Sequence, residues 1–472
     1  MKQLDLANEK IGKLLRGFAV PCVISLLVAA FYNIVDQIYI GHISGIDAAS
    51  GQSISILCNG ATNVVYPFTL IALALCLLVG DGSAAMFSLC RGKKDYETAE
   101  KSIGNGFLMQ IILPVLLTVA GFIFKDSLLT LFGATPAGRT YAEDYYDIII
   151  LGFPAYMFAQ GMNSAIRADG APRFAMAATT VGAVLNIILD PIFIFTFNMG
   201  IKGAAIATIL GQYVTLLLTV GYLFKSKNFH LSIRSITPDF ALCGRIALLG
   251  ISSLITQISI VIIITVCNNL VGKINDPVYG TDIPLAVIGI VMKVFGIVVS
   301  ICIGIALGGQ PIVGFNFGAG NIGRVKETYK KIMISCGAVG IAATIVFQLF
   351  PDIVVDLFGR GNSEIYIEYA RLCLRIYLLT VLLTCLIKAN SIFLQSIGAS
   401  FKSMALSVVR DVVFFVPAIT VLGLCTGSVK YMLWSAAITD ALTGILTFAF
   451  IRSEFKKLNK MKNLPVDKSD FE

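Results

Sequence analysis

Long apolar runs separated by short polar connections fill this chain. Each run lasts about 20 residues or more, enough for an α-helix rising about 1.5 Å per residue to cross a hydrocarbon core of about 30 Å. Hydropathy predicts twelve spans, near 16–40, 58–85, 103–124, 146–166, 174–197, 203–224, 246–271, 284–309, 329–350, 372–395, 404–423 and 431–451. The expected fold is an all-α polytopic membrane protein.

Two of the runs hold the side chain that a bilayer core tolerates least. From Met176 to Phe197 the only charge is Asp190, in LNIILDPIFIF, and from Gly17 to Gly41 the only one is Asp36, in FYNIVDQIYIG. A charge at mid-helix costs about 2.5–3.5 kcal/mol on insertion scales, so an acid there marks a candidate functional site. Asp36 lies 20 residues beyond Arg16 and Asp190 lies 17 beyond Arg173, the arginines that open their spans. Both acids therefore reach a similar depth, about 30 and 25 Å in. Asn186 precedes Asp190 by one turn on the same face, and Asn33 precedes Asp36 by three residues. Thr208 lies about 9 Å into its span from Lys202. Two carboxylates sharing this depth would titrate as a pair, which suits ion or proton coupling.

The pattern is written twice, at an offset of 226–230 residues. FSLCRGKKDYETAEK (87–101) answers FNFGAGNIGRVKETYKK (315–331), and LFG at 131–133 answers LFG at 357–359. NSAIRADGAPRFAM (163–176) answers NSIFLQSIGASFKSM (390–404). Six spans per copy implies two parallel six-helix repeats, an N-lobe (1–235) and a C-lobe (236–472), around a central cavity. The C-lobe lacks counterparts of the acids, since Asp36 aligns near Cys267 and Asn268 and Asp190 aligns near Ala418. Its own intramembrane charges, Lys293, Arg410, Asp411 and Asp440, read as internal ion pairs. Asp81 between Gly80 and Gly82 reads as a turn or a site, and Gly304 with Gly308 as a close helix contact.

Composition sharpens this picture. The chain is 57% hydrophobic and 14% charged, against about 25% charged in a soluble domain. Its net charge of +8 follows topology rather than nucleic acid: with the N-terminus inside, 25 of 36 Lys and Arg fall on cytoplasmic segments. The positive-inside rule then puts both termini in the cytoplasm. The polar start before a full-length first span is not that of a cleaved signal peptide. Eleven Cys without C-x-x-C spacing read as core residues, and two His, His42 and His230, make a histidine metal site unexpected.

NIVDQIYIG in span 1, RGKKDYETA after span 2 and LNIILDPIFIF in span 5 resemble the multidrug and toxic compound extrusion (MATE) family, in particular its MepA-like and DinF-like bacterial members. The resemblance covers nearly the whole chain. It implies an antiporter with two lobes that expels lipophilic, usually cationic compounds against H⁺ or Na⁺, by alternating access and without a cofactor. The family's cation site maps onto Asp36, Asn186, Asp190 and Thr208, and Pro21 matches a proline at which span 1 can bend. Spans 7 and 10 lack the acids of sodium-coupled relatives, leaving Gln257 as the nearest polar replacement. Tyr32, Met157, Gln160, Met162 and Asn163 are the expected substrate-cavity residues, through cation–π contact and soft packing. No phosphate-binding G-x-x-x-x-G-K-[ST] and no H-E-x-x-H occurs, so neither an ATP-driven pump nor a membrane enzyme is expected. The alternative is a flippase for a lipid-linked precursor. The expected assembly is a monomer in the bilayer, with no nucleic-acid partner.

Overall fold

The computed structural model describes residues 6–47, 51, 53–226, 229, 231–274, 276–280, 282–357 and 364–461. His230, the Asn268 side chain and Gly359 of the second LFG lie outside them. Regular structure there is helical, with two isolated β-bridges, Ile46 to Ser53 and Asp276 to Gly280. Spans 1 to 6 are Ile11–Gly41, Ile54–Gly92, Tyr96–Ile123, Arg139–Ala168, Pro172–Pro191 and Gly200–Leu223. Spans 7, 8 and 9 are Phe240–Ile274, Asp282–Gly318 and Ile322–Leu349. Span 10 is broken, with Glu364–Tyr377 and Val381–Ser396 meeting at a 47° bend. Spans 11 and 12 are Ser400–Thr426 and Val429–Met461.

Ten of these helices are long and apolar enough to cross a membrane, and the bent span 10 makes eleven. Span 4 is the twelfth. It has the length, 30 residues, but carries Glu143, Asp144 and Asp147 early and Asn163 and Ser164 late, the last two buried. The regular helix widens beside two prolines. Pro191 has no N–H for the carbonyl of Ile187, and Ile192–Thr196 beyond it widens into a π-turn. In span 11 a π-segment, Val409–Phe415, ends just before Pro417. Such widenings recur at functional sites.

The internal repeat is visible in the backbone. Lys94 (φ 63°) and Gly320 (φ 72°) end spans 2 and 8 in the left-handed region, and Gly170 (φ 93°) and Gly398 (φ 82°) end spans 4 and 10 the same way.

The chain forms two compact units that trade helix halves. Unit 1 holds Ile24–Arg91 and Asp95–Gln257, and unit 2 holds residues 6–23, 92–94 and 258–461. The chain changes unit in span 1 just after Pro21, and again within span 7 at Gln257. In unit 2 a Cβ on Gly304 or Gly308 would stand 2.7 Å from Val23 Cα or 2.5 Å from Ala19 Cα, which is the close helix contact the spacing predicts. In unit 1 a Cβ on Gly82 would lie 2.1 Å from Ile246 O, so span 2 meets the first half of span 7 backbone to backbone.

This contact removes the turn, one of the two readings of Asp81. The residue lies inside the helix of span 2, and its flanking glycines serve helix approach. Its carboxylate accepts from Ser164 (2.7 Å) and Ser253 (2.8 Å) with Arg167 at 3.7 Å, tying spans 2, 4 and 7 together. In unit 2 the expected ion pairs form at Arg410, Asp411 and Asp440, whereas Lys293 has none among the described residues. Arg410 donates to Asp440 (2.9 Å) and Asp411 (2.5 Å), and Lys388 donates to Asp411 (3.1 Å). Thr380 and Thr384 also donate to Asp440, at 2.8 and 2.5 Å. At the turn between spans 7 and 8, burial pushes Asp276 up. Hydrogen bonds from Ser428 and from the N–H groups of Val278, Val429 and Tyr279 outweigh it and hold the carboxyl below its ordinary range.

Candidate functional site

Spans 5 and 6 approach closely because both lack side chains where they cross. A Cβ on Gly182 would stand 2.1 Å from Thr215 Oγ1 and 2.6 Å from Gly211 O. That approach carries the polar residues one turn further along into contact. Asn186 Nδ2 donates to Asp190 Oδ1 at 3.0 Å and reaches Thr208 Oγ1 at 3.4 Å. Span 1 joins through aromatic packing: Tyr39, three residues after Asp36, meets Phe195 of the π-turn edge-on at 6.4 Å. Ile40 is buried in one apolar cluster with Ile194, Ile201, Ala204 and Ala205, which fixes the register of spans 1, 5 and 6.

The acids consequently share one buried region of unit 1. Asp190 is 0% exposed and Asp36 8%, and the two carboxylates lie within electrostatic reach of each other. Tyr32 and Tyr145 lie within reach of both. Three oxygens here, Asp36 Oδ1, Asp190 Oδ2 and Asn186 Oδ1, are buried without a hydrogen-bond donor among the described residues. A buried acceptor without a donor is costly, so this constellation favours a proton or a small cation. It offers carboxylate, amide and hydroxyl oxygens, the ligand set of hard cations.

The other expected residues separate into groups. Pro21 lies inside the continuous helix of span 1. Tyr32 is half-buried near the acids, and Gln160 is half-buried beside Tyr156. Met157 and Met162 are fully buried in two different apolar clusters and present no surface in this conformation. Asn163 is buried with both amide atoms lacking partners among the described residues. Asn33 bonds neither acid among the described residues: it is exposed, and its amide donates to Ala29 O at 2.7 Å on its own helix. Sequence reading missed Tyr145, which carries no charge anomaly to flag it.

The crossing itself is testable. Gly182→Val should separate spans 5 and 6 and pull Thr208 from Asn186, because part of what the new Cβ meets is backbone that cannot rotate away. A loss of about 1–3 kcal/mol, read as a lowered midpoint of thermal unfolding in detergent, is expected. An unchanged midpoint would mean the helices do not cross this closely.

The sequence profile of the MatE family matches twice, over residues 21–192 and 252–420, once in each half. Multidrug export protein MepA of Staphylococcus aureus (strain MRSA252) is 23% identical over 445 residues, 94% of each chain. Among solved structures, a MOP superfamily transporter from Pyrococcus furiosus, described as having a binding pocket of reverse polarity, superposes with TM-score 0.88 at 23% identity. The match covers 97% of this chain and all of that one. An outward-facing multidrug resistance MATE transporter superposes with TM-score 0.86 at 24% identity, over 98% of this chain and 99% of that one.

Proposed function

The chain belongs to the MatE family, and from that membership we propose that it is a secondary active exporter of lipophilic, mainly cationic compounds, driven by H⁺ or Na⁺. Asp36, Asp190, Asn186 and Thr208 form the coupling site. The observation that carries this reading is the set of three buried oxygens without donors on two acids and an amide. An entering proton or cation neutralises the pair and satisfies those oxygens. Its release restores two neighbouring charges that repel in a low-dielectric setting, so occupancy biases span 1 against span 5. Pro21, just before the chain passes from unit 2 to unit 1, gives span 1 a place to bend. One proton falling through about 100 mV and about one pH unit releases roughly 3.7 kcal/mol, enough for a several-hundredfold gradient of a neutral solute.

Dye efflux from proteoliposomes under separately imposed H⁺ and Na⁺ gradients tests the proposal. Export driven by one gradient and abolished by its collapse is expected. Equal rates with no gradient would remove ion coupling. The flippase alternative needs several free cations for a pyrophosphate, yet Lys388 and Arg410 are held by Asp411 and Asp440.

The proposed orientation, with both termini cytoplasmic, makes its own prediction. On a Cys-free background, a cysteine at Arg139 should react with a membrane-impermeant maleimide from outside the cell. Labelling only in inverted vesicles would reverse the topology.

A further inference from the structure

One face of span 6 is polar from the coupling site to the far end of the helix. Thr208, Gln212, Thr215, Thr219 and Tyr222 follow at steps of 4, 3, 4 and 3, the spacing that keeps side chains on one face. From Thr208 to Tyr222 the stripe runs about 21 Å. It packs inside unit 1, against spans 4 and 5. A Cβ on Gly152 of span 4 would stand 2.5 Å from Gln212 Oε1, and one on Gly182 of span 5 would stand 2.1 Å from Thr215 Oγ1.

The far end of the stripe meets a second buried acid. Asp169, 1% exposed at the turn between spans 4 and 5, accepts from Tyr222 Oη and, at 3.0 Å, from Ser226 Oγ. Tyr222 and Ser226 are themselves partly exposed. The acid therefore stands just inside the rim, on the side that the proposed orientation places in the cytoplasm.

Between the two ends the seam holds more polar groups than the protein satisfies. Thr215 donates to Gly211 O at 2.9 Å, the local bond a helical hydroxyl ordinarily makes. Thr219 Oγ1, one turn further and fully buried, bonds nothing among the described residues, and neither does Gln212 Oε1. Asn163 joins them from span 4. It lies 11 residues, or three turns, beyond Gly152 on the same helix face, and both its amide atoms are buried without partners among the described residues. Buried donors and acceptors that a fold leaves over are where ordered waters sit.

We propose that this seam is the proton's route between the coupling site and the cytoplasm: waters held by Gln212, Thr219 and Asn163 link Asp190 to Asp169, and Asp169 hands the proton over. A proton leaving the Asp190 carboxyl passes to the first water, and each water gives one up as it accepts one. The Asp169 carboxylate takes the last and releases it to bulk water, so nothing is consumed. A file of this kind carries protons and not Na⁺, because only a proton moves by exchange of bonds. The inference rests on the coupling site proposed above and commits its ion to H⁺.

Thr219→Val and Asp169→Asn, compared with the parent protein in proteoliposomes, test the route. The valine removes a hydroxyl that bonds no protein group, so the thermal midpoint should hold or rise. Both variants should slow H⁺-driven dye efflux about tenfold or more, since a positioned proton carrier is worth about 10²–10⁴-fold in rate. Dye–dye counterflow, which exchanges substrate without moving a proton, should be unchanged. The solvent deuterium isotope effect on driven efflux should rise in Asp169→Asn, where proton passage becomes the slow step. Parent-like driven efflux in either variant, counterflow lost in step with it in Thr219→Val, or Na⁺-driven efflux by the parent protein would each overturn the proposal. Export driven by Na⁺ would leave the coupling site standing. Driven efflux that persists in Asp190→Asn yet fails in Thr219→Val would instead remove the coupling-site reading and keep the seam as a proton route.

Discussion

Asp190→Asn is expected to reduce ion-driven dye efflux to the level of protein-free vesicles while the protein still folds and inserts. The amide keeps an oxygen for Asn186 Nδ2, which now donates to Asp190 Oδ1 at 3.0 Å. Asp36 Oδ1 and Asn186 Oδ1 are buried acceptors without donors among the described residues of the same region. The fold therefore loses little, and the titratable charge is lost entirely. Asp36→Asn should be equally inactive, and the double variant no worse than either, because one ion site fails as a unit. Efflux normalised to folded protein decides the matter. Full transport by Asp190→Asn would take this residue out of the mechanism.

Arg410→Met should be the most destabilising change in unit 2. The guanidinium is nearly buried and reaches Asp440, Asp411 and Thr384. Removing it leaves Asp440 with two hydroxyl donors and no counter-charge, and Asp411 with Lys388 alone. Breaking a buried pair from one side costs about 3–5 kcal/mol, since an uncompensated charge stays behind. The thermal midpoint in detergent and the yield of monodisperse protein should both fall. Adding Asp440→Leu should recover part of the loss, because two apolar groups replace the pair. Asp411→Asn and Asp440→Asn should lower stability in the same assay. If Asp440→Asn folds normally yet abolishes transport, and Asp36→Asn retains it, the coupling site lies in unit 2.

The twelve spans were legible because their signal is one of length and apolarity, weakest in span 4, which carries Glu143, Asp144 and Asp147 near its start. The meeting of Asn186, Asp190 and Thr208 was legible for a simpler reason. Depth along a straight helix can be counted, and helices crossing one bilayer share a depth scale. Partner choice has no such ruler. Asp440 closes an ion pair as its run of opposite charges suggested, but nothing beside Asp81 announced that it joins three helices through serines and an arginine. Their partners lie 30 to 172 residues away in the chain, where hydropathy carries no information. The burial of Met157 and Met162 was likewise invisible, because methionine suits a packed core as well as a binding surface.

The exchange of helix halves between units also sets an order of events during biosynthesis. The first half of span 1 is made at the outset, yet the helix it packs on, at Gly304 and Gly308, follows about 290 residues later. At about 5–20 residues per second of synthesis, that is a wait of roughly 15–60 s. For that interval Phe18 and Ala19, buried in the finished protein, have only lipid or the insertion machinery for company. A ribosome stalled after span 6 would release a six-span chain holding an unmatched half-helix, and lacking the first half of span 7 that unit 1 requires. The two repeats are legible as separate stretches of sequence, but neither can be completed before translation has passed well into the other.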